Sequence, residues 1–553
     1  MFKNQPRGLY VLALIYTLCC FGSYAMLSVY LLLLQTMFGF DTAVSGQLLA
    51  GFIALSNLLP LFGGWIADRW SFSKCVVMGM IVTVVGSLLM FLPAEIRSTS
   101  ALTLFLASSV LLCVGSGLFK SNMTVIIGDL YNDPRYGHMR DSGFSIFYMA
   151  INVGSMFSPL GATAVTNWAL SARDLVYNSQ LPELCNRYLD TANADLGAQI
   201  TDIATRTGMS VDNVADFAAT YIEALSRGYI LTFGVYAATV LLSLVIYMVA
   251  KRTFLSAASG KRETSVAGAP AAPTEELTPA QTRSRIVALM LVMMVLVFFW
   301  MVFNQNGATL TEFAISCTSP EAWGATRIGF NAWALAVVAV AVYALFAFFQ
   351  STSAKGRLAA GAVLAACAAG LWYIYAATPN PVTGIQPQEY QQFNPFFVVI
   401  LTPVSLALFG WLAKKKKDPS APRKIGFGMV LAAVAYGVML LGSLSLTGTQ
   451  GAVSPNWLIT TYLLLTFAEL LLSPMGMSFV SSVAPSKYKG SMMGCWCVAT
   501  AVGSYLVSIP MLLWGKIPLW TLWTILIALC LLSAAFIFSI TRRLEAATTV
   551  TAD

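Results

Sequence analysis

Two ionisable residues stand where a charge is costly. Lys120 lies inside "LLCVGSGLFKSNMTVII", residues 111–127, and Glu469 inside "TTYLLLTFAELLLSPMGMSFV", residues 460–480. A charge near the centre of a bilayer costs at least about 2.5–3.5 kcal/mol, so each is a candidate functional residue by default. The bland alternatives are a lysine that snorkels to the interface and a glutamate that is protonated and simply buried. Lys120 is about eight residues, or roughly 12 Å, from the inner end of its helix, beyond a comfortable lysine reach. Glu469 is too short to escape mid-span. The two have opposite sign and similar depth, one in each half of the chain. They suit a shared polar cavity in which they pair, the arrangement of an alternating-access carrier.

The elements that must position them are membrane helices. The chain has 553 residues, of which 58% are hydrophobic and only 10% charged, against about 25% charged in soluble domains. A span needs about 20 apolar residues, and about fourteen such runs occur, from 9–36 to 519–541, including 142–169 and 228–250. Open sheet cannot satisfy its backbone in lipid, so all are expected to be helices, an all-α polytopic membrane protein. The net charge of +8 belongs to short loops and does not signal nucleic-acid binding. Arg69, Lys74, Arg135, Arg140, Lys251, Arg252, Lys355, Lys414–Lys417, Lys487, Lys489, Arg542 and Arg543 fall in one set of loops, which puts both termini in the cytoplasm. The basic, then apolar N-terminus reads as an uncleaved first helix.

The organisation expected is an N-terminal six-helix bundle over 1–250, a polar cytoplasmic linker over 251–285, and a C-terminal six-helix bundle from 286–306 and 395–545. An extra transmembrane hairpin occupies 331–377, and an external insert 170–227 contains one short helix after a cap at Ser210. Cys185 and Cys317 are both external and leave open a disulfide or two unrelated thiols. The single histidine, His138, lies in a polar loop, and no His/Cys set has metal-ligand spacing, so neither metal nor cofactor is expected. An enzyme is not expected either, for want of a nucleophile–base arrangement or a phosphate loop.

Residues 144–156, "FSIFYMAINVGSM", resemble the signature of the proton-dependent oligopeptide transporter family, F-x-x-F-Y-x-x-I-N-x-G, at every defined position. "GSGLFKSN" (115–122), "FAELLLSPMGMS" (467–478), "MMGCWCVATAVGSYL" (492–506) and "FNPFFVVILTP" (393–403) resemble its fourth, tenth, eleventh and eighth helices. "GGWIADRW" (63–70) is similar to the superfamily's loop between helices 2 and 3. The resemblance implies the major facilitator fold, two six-helix bundles plus the extra hairpin, and proton-driven uptake of di- and tripeptides by alternating access.

It also implies a site. Lys120 takes a peptide carboxylate; Glu469, Asn152 and Asn394 take the amino end and backbone; Tyr148, Trp300, Trp496 and Tyr24 shape an aromatic pocket, with helix packing as the alternative for each aromatic. Lys120 and Glu469 also form the gate and the proton-coupling pair. A substrate carboxylate that claims Lys120 removes the support for an ionised Glu469 and favours a proton there. The partners implied are a small peptide, protons and the bilayer, in a monomer of a bacterial inner membrane.

The resemblance lapses at two places. The family's first-helix E-x-x-E-R-F is "YTLCCF" here, with Tyr16, Cys19 and Cys20 for the charged residues. The seventh-helix glutamate is Asn304, and its usual arginine partner is Leu27. Coupling could then be altered or lost, leaving a peptide uniporter. One cation instead of two could also suit a non-peptide solute, such as an amino-acid derivative or organic anion. A non-transporting membrane sensor is the alternative from another class.

Overall fold

The computed structural model describes residues 5–40, 42–92, 97–178, 180–258, 278–351, 353–383, 385, 387–446 and 452–549. In chain order its helices are α1 (Arg7–Phe38), α2 (Thr42–Arg69), α3 (Phe72–Leu89), α4 (Thr99–Asp129), α5 (Arg140–Ser171), α6 (Leu181–Thr191), α7 (Ala194–Arg206), α8 (Val214–Ala258) and α9 (Pro279–Phe303). There follow α10 (Thr309–Ser316), α11 (Ala332–Gln350), α12 (Ala354–Ala377), α13 (Phe393–Lys414), α14 (Ala421–Ser443), α15 (Asn456–Val483), α16 (Lys489–Leu506), α17 (Ser508–Leu513) and α18 (Leu519–Thr549). A two-residue antiparallel ladder, β1 (Glu321–Ala322) with β2 (Val382–Thr383), ties the ends of the extra hairpin. Among the described residues, 13 helical segments are long and apolar enough to cross a membrane. The fourteenth expected span is present as α5, 32 residues long. Its Ser, Asn, Thr and Gly content makes it the least apolar of the long helices.

The chain divides into two units. One holds residues 7–127 and 153–260; the other holds 1–6, 128–152 and 261–553. The first bundle therefore differs from the expected 1–250 at the ends of α4 and α5 that face the 128–152 connection, which group with the second unit. The physical reason is a set of polar bonds described below.

In the first unit α8 packs along α1 and α3, with α6 laid against α8 and α7. Close approach governs α4. A Cβ at Gly117 would lie 2.7 Å from Leu59 Cβ, so glycine lets α2 and α4 touch backbone to backbone. In the second unit α14 packs between α15 and α18, and α9 packs on α16. Prolines inside α2, α5, α13 and α15 are accommodated, as membrane helices allow when neighbours satisfy the freed backbone groups. The extra hairpin, α11 and α12, rests on α13 through α11, and Tyr343 Oη donates to Val399 O at 2.8 Å to anchor it.

Three expectations are corrected. The insert contains two helices, α6 and α7, that were not anticipated, because their polar faces outweigh their apolar ones. The helix expected after Ser210 is the first part of α8, continuous with the span for 45 residues; its start is capped by Asn213, whose Oδ1 accepts from Ala215 N–H at 2.9 Å. The expected linker 251–285 is helical at both ends, 251–258 in α8 and 279–285 in α9, the latter opened by a Thr278–Gln281 capping box. Its middle, 259–277, lies outside the described residues. Cys185 and Cys317 are thiols, not half-cystines.

Candidate functional site

Helix α15 is the most enclosed of the spans, and Glu469 sits near its middle, 3% exposed. A buried carboxylate must have its lone pairs answered. Both oxygens are: Tyr148 Oη, from α5, donates to Oε1, and Asn394 Nδ2, from the start of α13, donates to Oε2 at 2.8 Å. Asn394 Nδ2 also approaches Thr466 Oγ1 at 3.1 Å, one turn before Glu469 on α15. These four residues come from three helices of a single unit. Hydrogen bonds to an ionised group are about twice as strong as neutral ones, so the triad fixes the carboxylate's orientation.

The other expected residues of this unit lie around it. Asn152, 8% exposed, sits one turn beyond Tyr148 and donates from Nδ2 to Tyr148 O at 3.0 Å. Trp496 packs across α15: a Cβ at Gly476 would come within 2.2 Å of its ring. Trp300 stacks edge-on to Phe299 and Phe303, and its buried Nε1 donor has no partner among the described residues. Ser473 Oγ is likewise buried and unpartnered, one turn past Glu469. Thr466 and Ser473 were not anticipated, because small hydroxyls in membrane helices commonly bond their own backbone and carry no distinctive signal.

Lys120 and Tyr24 belong to the first unit. Lys120 is half-buried on α4, and no carboxylate of its own unit lies in ion-pair range among the described residues. Tyr24 is exposed on α1, at 44%. The family's missing charges are replaced by packing. Tyr16, Cys19 and Cys20 are buried, with Tyr16 edge-on to Phe119. Asn304 donates from Nδ2 to Ser504 Oγ at 2.7 Å, so a neutral amide there is satisfied without a cation.

A second polar cluster was missed. Lys424, near the start of α14, is 2% exposed and bonded to Asp141 at 3.3 Å and Asp418 at 3.2 Å. Asp141, at the start of α5, also accepts from Ser478 of α15. Arg140 donates to Ser481 Oγ at 3.0 Å, and Lys489 of α16 pairs with Asp129 of α4 at 2.7 Å. Residues 128–152 are thereby pinned to α14, α15 and α16. Arg140 and Lys489 enter the sequence reading only as topology markers; the acids at 129 and 141 were the available signal.

Bundled apolar helices around a buried, oriented carboxylate are those of an all-α polytopic membrane protein. A family model described as the POT family matches residues 73–267 and 362–519, and the chain belongs to that family. The resemblance carried by residues 144–156 is thus borne out. The chain is 26% identical over 528 residues to Uncharacterized transporter YclF of Bacillus subtilis, covering 94% of this chain and 90% of that one. It is 24% identical over 522 residues to Dipeptide and tripeptide permease A of Edwardsiella piscicida, covering 91% and 84%. Among solved structures, peptide transporter POT in complex with sulfate shares the fold at a TM-score of 0.57 and 19% identity, covering 99% of this chain and 96% of that one. A POT family transporter in complex with 5-aminolevulinic acid does so at 0.57 and 19%, covering 98% of each.

Proposed function

We propose that this protein imports di- and tripeptides across a bacterial inner membrane, both termini in the cytoplasm, by alternating access driven by protons. The observation that carries the reading is the Glu469 carboxylate held by Tyr148 and Asn394. A peptide's ammonium needs a pre-oriented, desolvated acceptor, and this is one. Lys120, without an acid partner in its own unit, is the cation for the other end of the zwitterion. Trp300 and Trp496 give apolar walls that tolerate varied side chains, and the unpartnered Trp300 Nε1 supplies a donor toward a backbone carbonyl.

The cycle follows from charge bookkeeping. In the empty protein Glu469 is held by Tyr148 and Asn394. A substrate carboxylate claims Lys120, a proton neutralises Glu469, and the protein opens on the cytoplasmic side. Opening there also requires release of the 128–152 segment from α14–α16, including the Asp141–Lys424 and Asp129–Lys489 bonds. Tyr16, Cys19 and Cys20 stand where the family's first-helix charges would, so this role falls to Glu469.

A second reading is a carrier of smaller amine-and-carboxylate solutes. The loss of the first-helix arginine favours it, and a relative of the same fold has been seen with 5-aminolevulinic acid. A competition panel in proteoliposomes separates the two. If labelled dialanine uptake is suppressed by unlabelled trialanine but not by alanine or 5-aminolevulinic acid, the peptide reading stands; the reverse order of potency selects the smaller solute.

A further inference from the structure

The insert that carries α6 and α7 plays no part in the site above, yet it roofs a cavity. Within the first unit, about 830 Å³ of space lies among the ends of α1, α3, α5 and α8, with Leu189 of α6 above it. That is the size of a small-molecule site. One long wall is apolar, formed by Met37, Phe91, Leu92, Trp168, Ile230 and Leu231. Phe91, Leu92 and Trp168 are 45%, 51% and 65% exposed. On a membrane helix bundle such side chains meet acyl chains, and a tryptophan at a helix end marks the interface.

Polar groups line the same space. Ala219, Ile222, Glu223, Ser226, Arg227 and Ile230 repeat at three-to-four spacing on α8, so one helix face lines the space. Arg97 and Arg227 line it against a single lining acid, Glu223. The insert fixes Arg97: its guanidinium pairs with Asp190 and donates to Asn186 Oδ1 at 2.7 Å. Arg227 is held by Glu223 at 2.9 Å. Ser226 is 1% exposed, and its buried hydroxyl has no hydrogen-bond partner among the described residues. An unanswered buried hydroxyl is costly unless something fills the site.

We propose that this cavity holds a membrane amphiphile, its acyl chain along Phe91, Leu92, Ile230 and Leu231 and its anionic phosphodiester at Arg97, Arg227 and Ser226. Arg97, Arg173 and Arg227 share only Asp190 and Glu223 as ion-pair partners among the described residues, and this excess of guanidinium selects an anionic headgroup. A free phosphate would satisfy the polar end and leave the apolar wall empty, whereas a lipid fills both. The insert then serves to hold Arg97 over the headgroup.

Native mass spectrometry of the detergent-solubilised full chain tests this, with added phosphatidylglycerol, phosphatidylcholine or inorganic phosphate. One phosphatidylglycerol per chain should survive dilution. Ala219→Trp fills the space from an exposed helix position, and Arg227→Gln removes one cation; each should lower retention on the order of tenfold, as expected for one charge-assisted contact or comparable steric loss. Both variants are to be compared at unchanged unfolding temperature. Equal retention in both variants would mean a general lipid annulus and overturn the proposal. Equal retention of phosphatidylcholine would overturn the anionic headgroup, and binding of inorganic phosphate alone would overturn the acyl-chain assignment.

Discussion

Glu469 receives two donors, and each has a separable consequence. Tyr148→Phe removes the hydroxyl and leaves the ring, so packing is kept. One hydrogen bond to an ionised group is worth about 1.5–3 kcal/mol. If Tyr148 orients Glu469 toward a peptide ammonium, KM for dialanine should rise roughly tenfold to a hundredfold. Asn394→Ala should act in the same direction. The double variant should fall short of the sum, because both donors serve one acceptor. Unchanged KM in both single variants would remove the carboxylate from substrate recognition. At this scale the sequence is informative where a charge interrupts an apolar run, as at Lys120 and Glu469. It is silent about Thr466 and Ser473, whose hydroxyls look like any others in a span, and about which donor meets which oxygen.

At the scale of elements, the 128–152 segment depends on a buried cation. Lys424 is 2% exposed, while Asp141 and Asp418 are 39% and 34% exposed. The partial solvation of both acids screens the pair, so Lys424→Met should cost about 1–3 kcal/mol rather than the larger penalty of a fully buried break. Thermal unfolding in detergent should show a lower midpoint, restored when Asp141→Asn and Asp418→Asn are added because no orphan acid remains. A midpoint unmoved by Lys424→Met would show that the segment does not depend on this cation. This cluster was not legible, because Lys424 lies beside the run Lys414–Lys417 and reads as one more loop cation.

The insert makes a different prediction. Cys185 is fully buried, and that burial pushes its thiol up to about 12 from an ordinary value of 9.0. A thiol is reactive only as thiolate. Maleimide at neutral pH should therefore leave Cys185 unmodified in the folded protein and label it after denaturation. Rapid labelling of the folded chain would mean that α6 does not seal against α8. The insert's helices escaped the sequence reading because amphipathic helices of 11 and 13 residues are read poorly next to a strong membrane signal. The start of α8 was misread as separate, since nothing in "SVDNVADFAATYIEALSRG" announces that it runs on into the span.

For the whole molecule, the family and its helix-bundle fold were legible from residues 144–156 and the spans, because lipid permits few ways to satisfy a backbone. Which donors meet the Glu469 carboxylate was not. The chain belongs to the POT family, and the proposed cycle rests on one carboxylate, Glu469, sufficing for coupling. The measurement that meets this claim most directly is uptake of labelled dialanine into proteoliposomes, with and without an inward proton gradient, for the native chain and for Glu469→Gln. Accumulation above equilibrium under the gradient, abolished in Glu469→Gln while counterflow exchange persists, is the predicted result. Accumulation that survives unchanged in Glu469→Gln would contradict it.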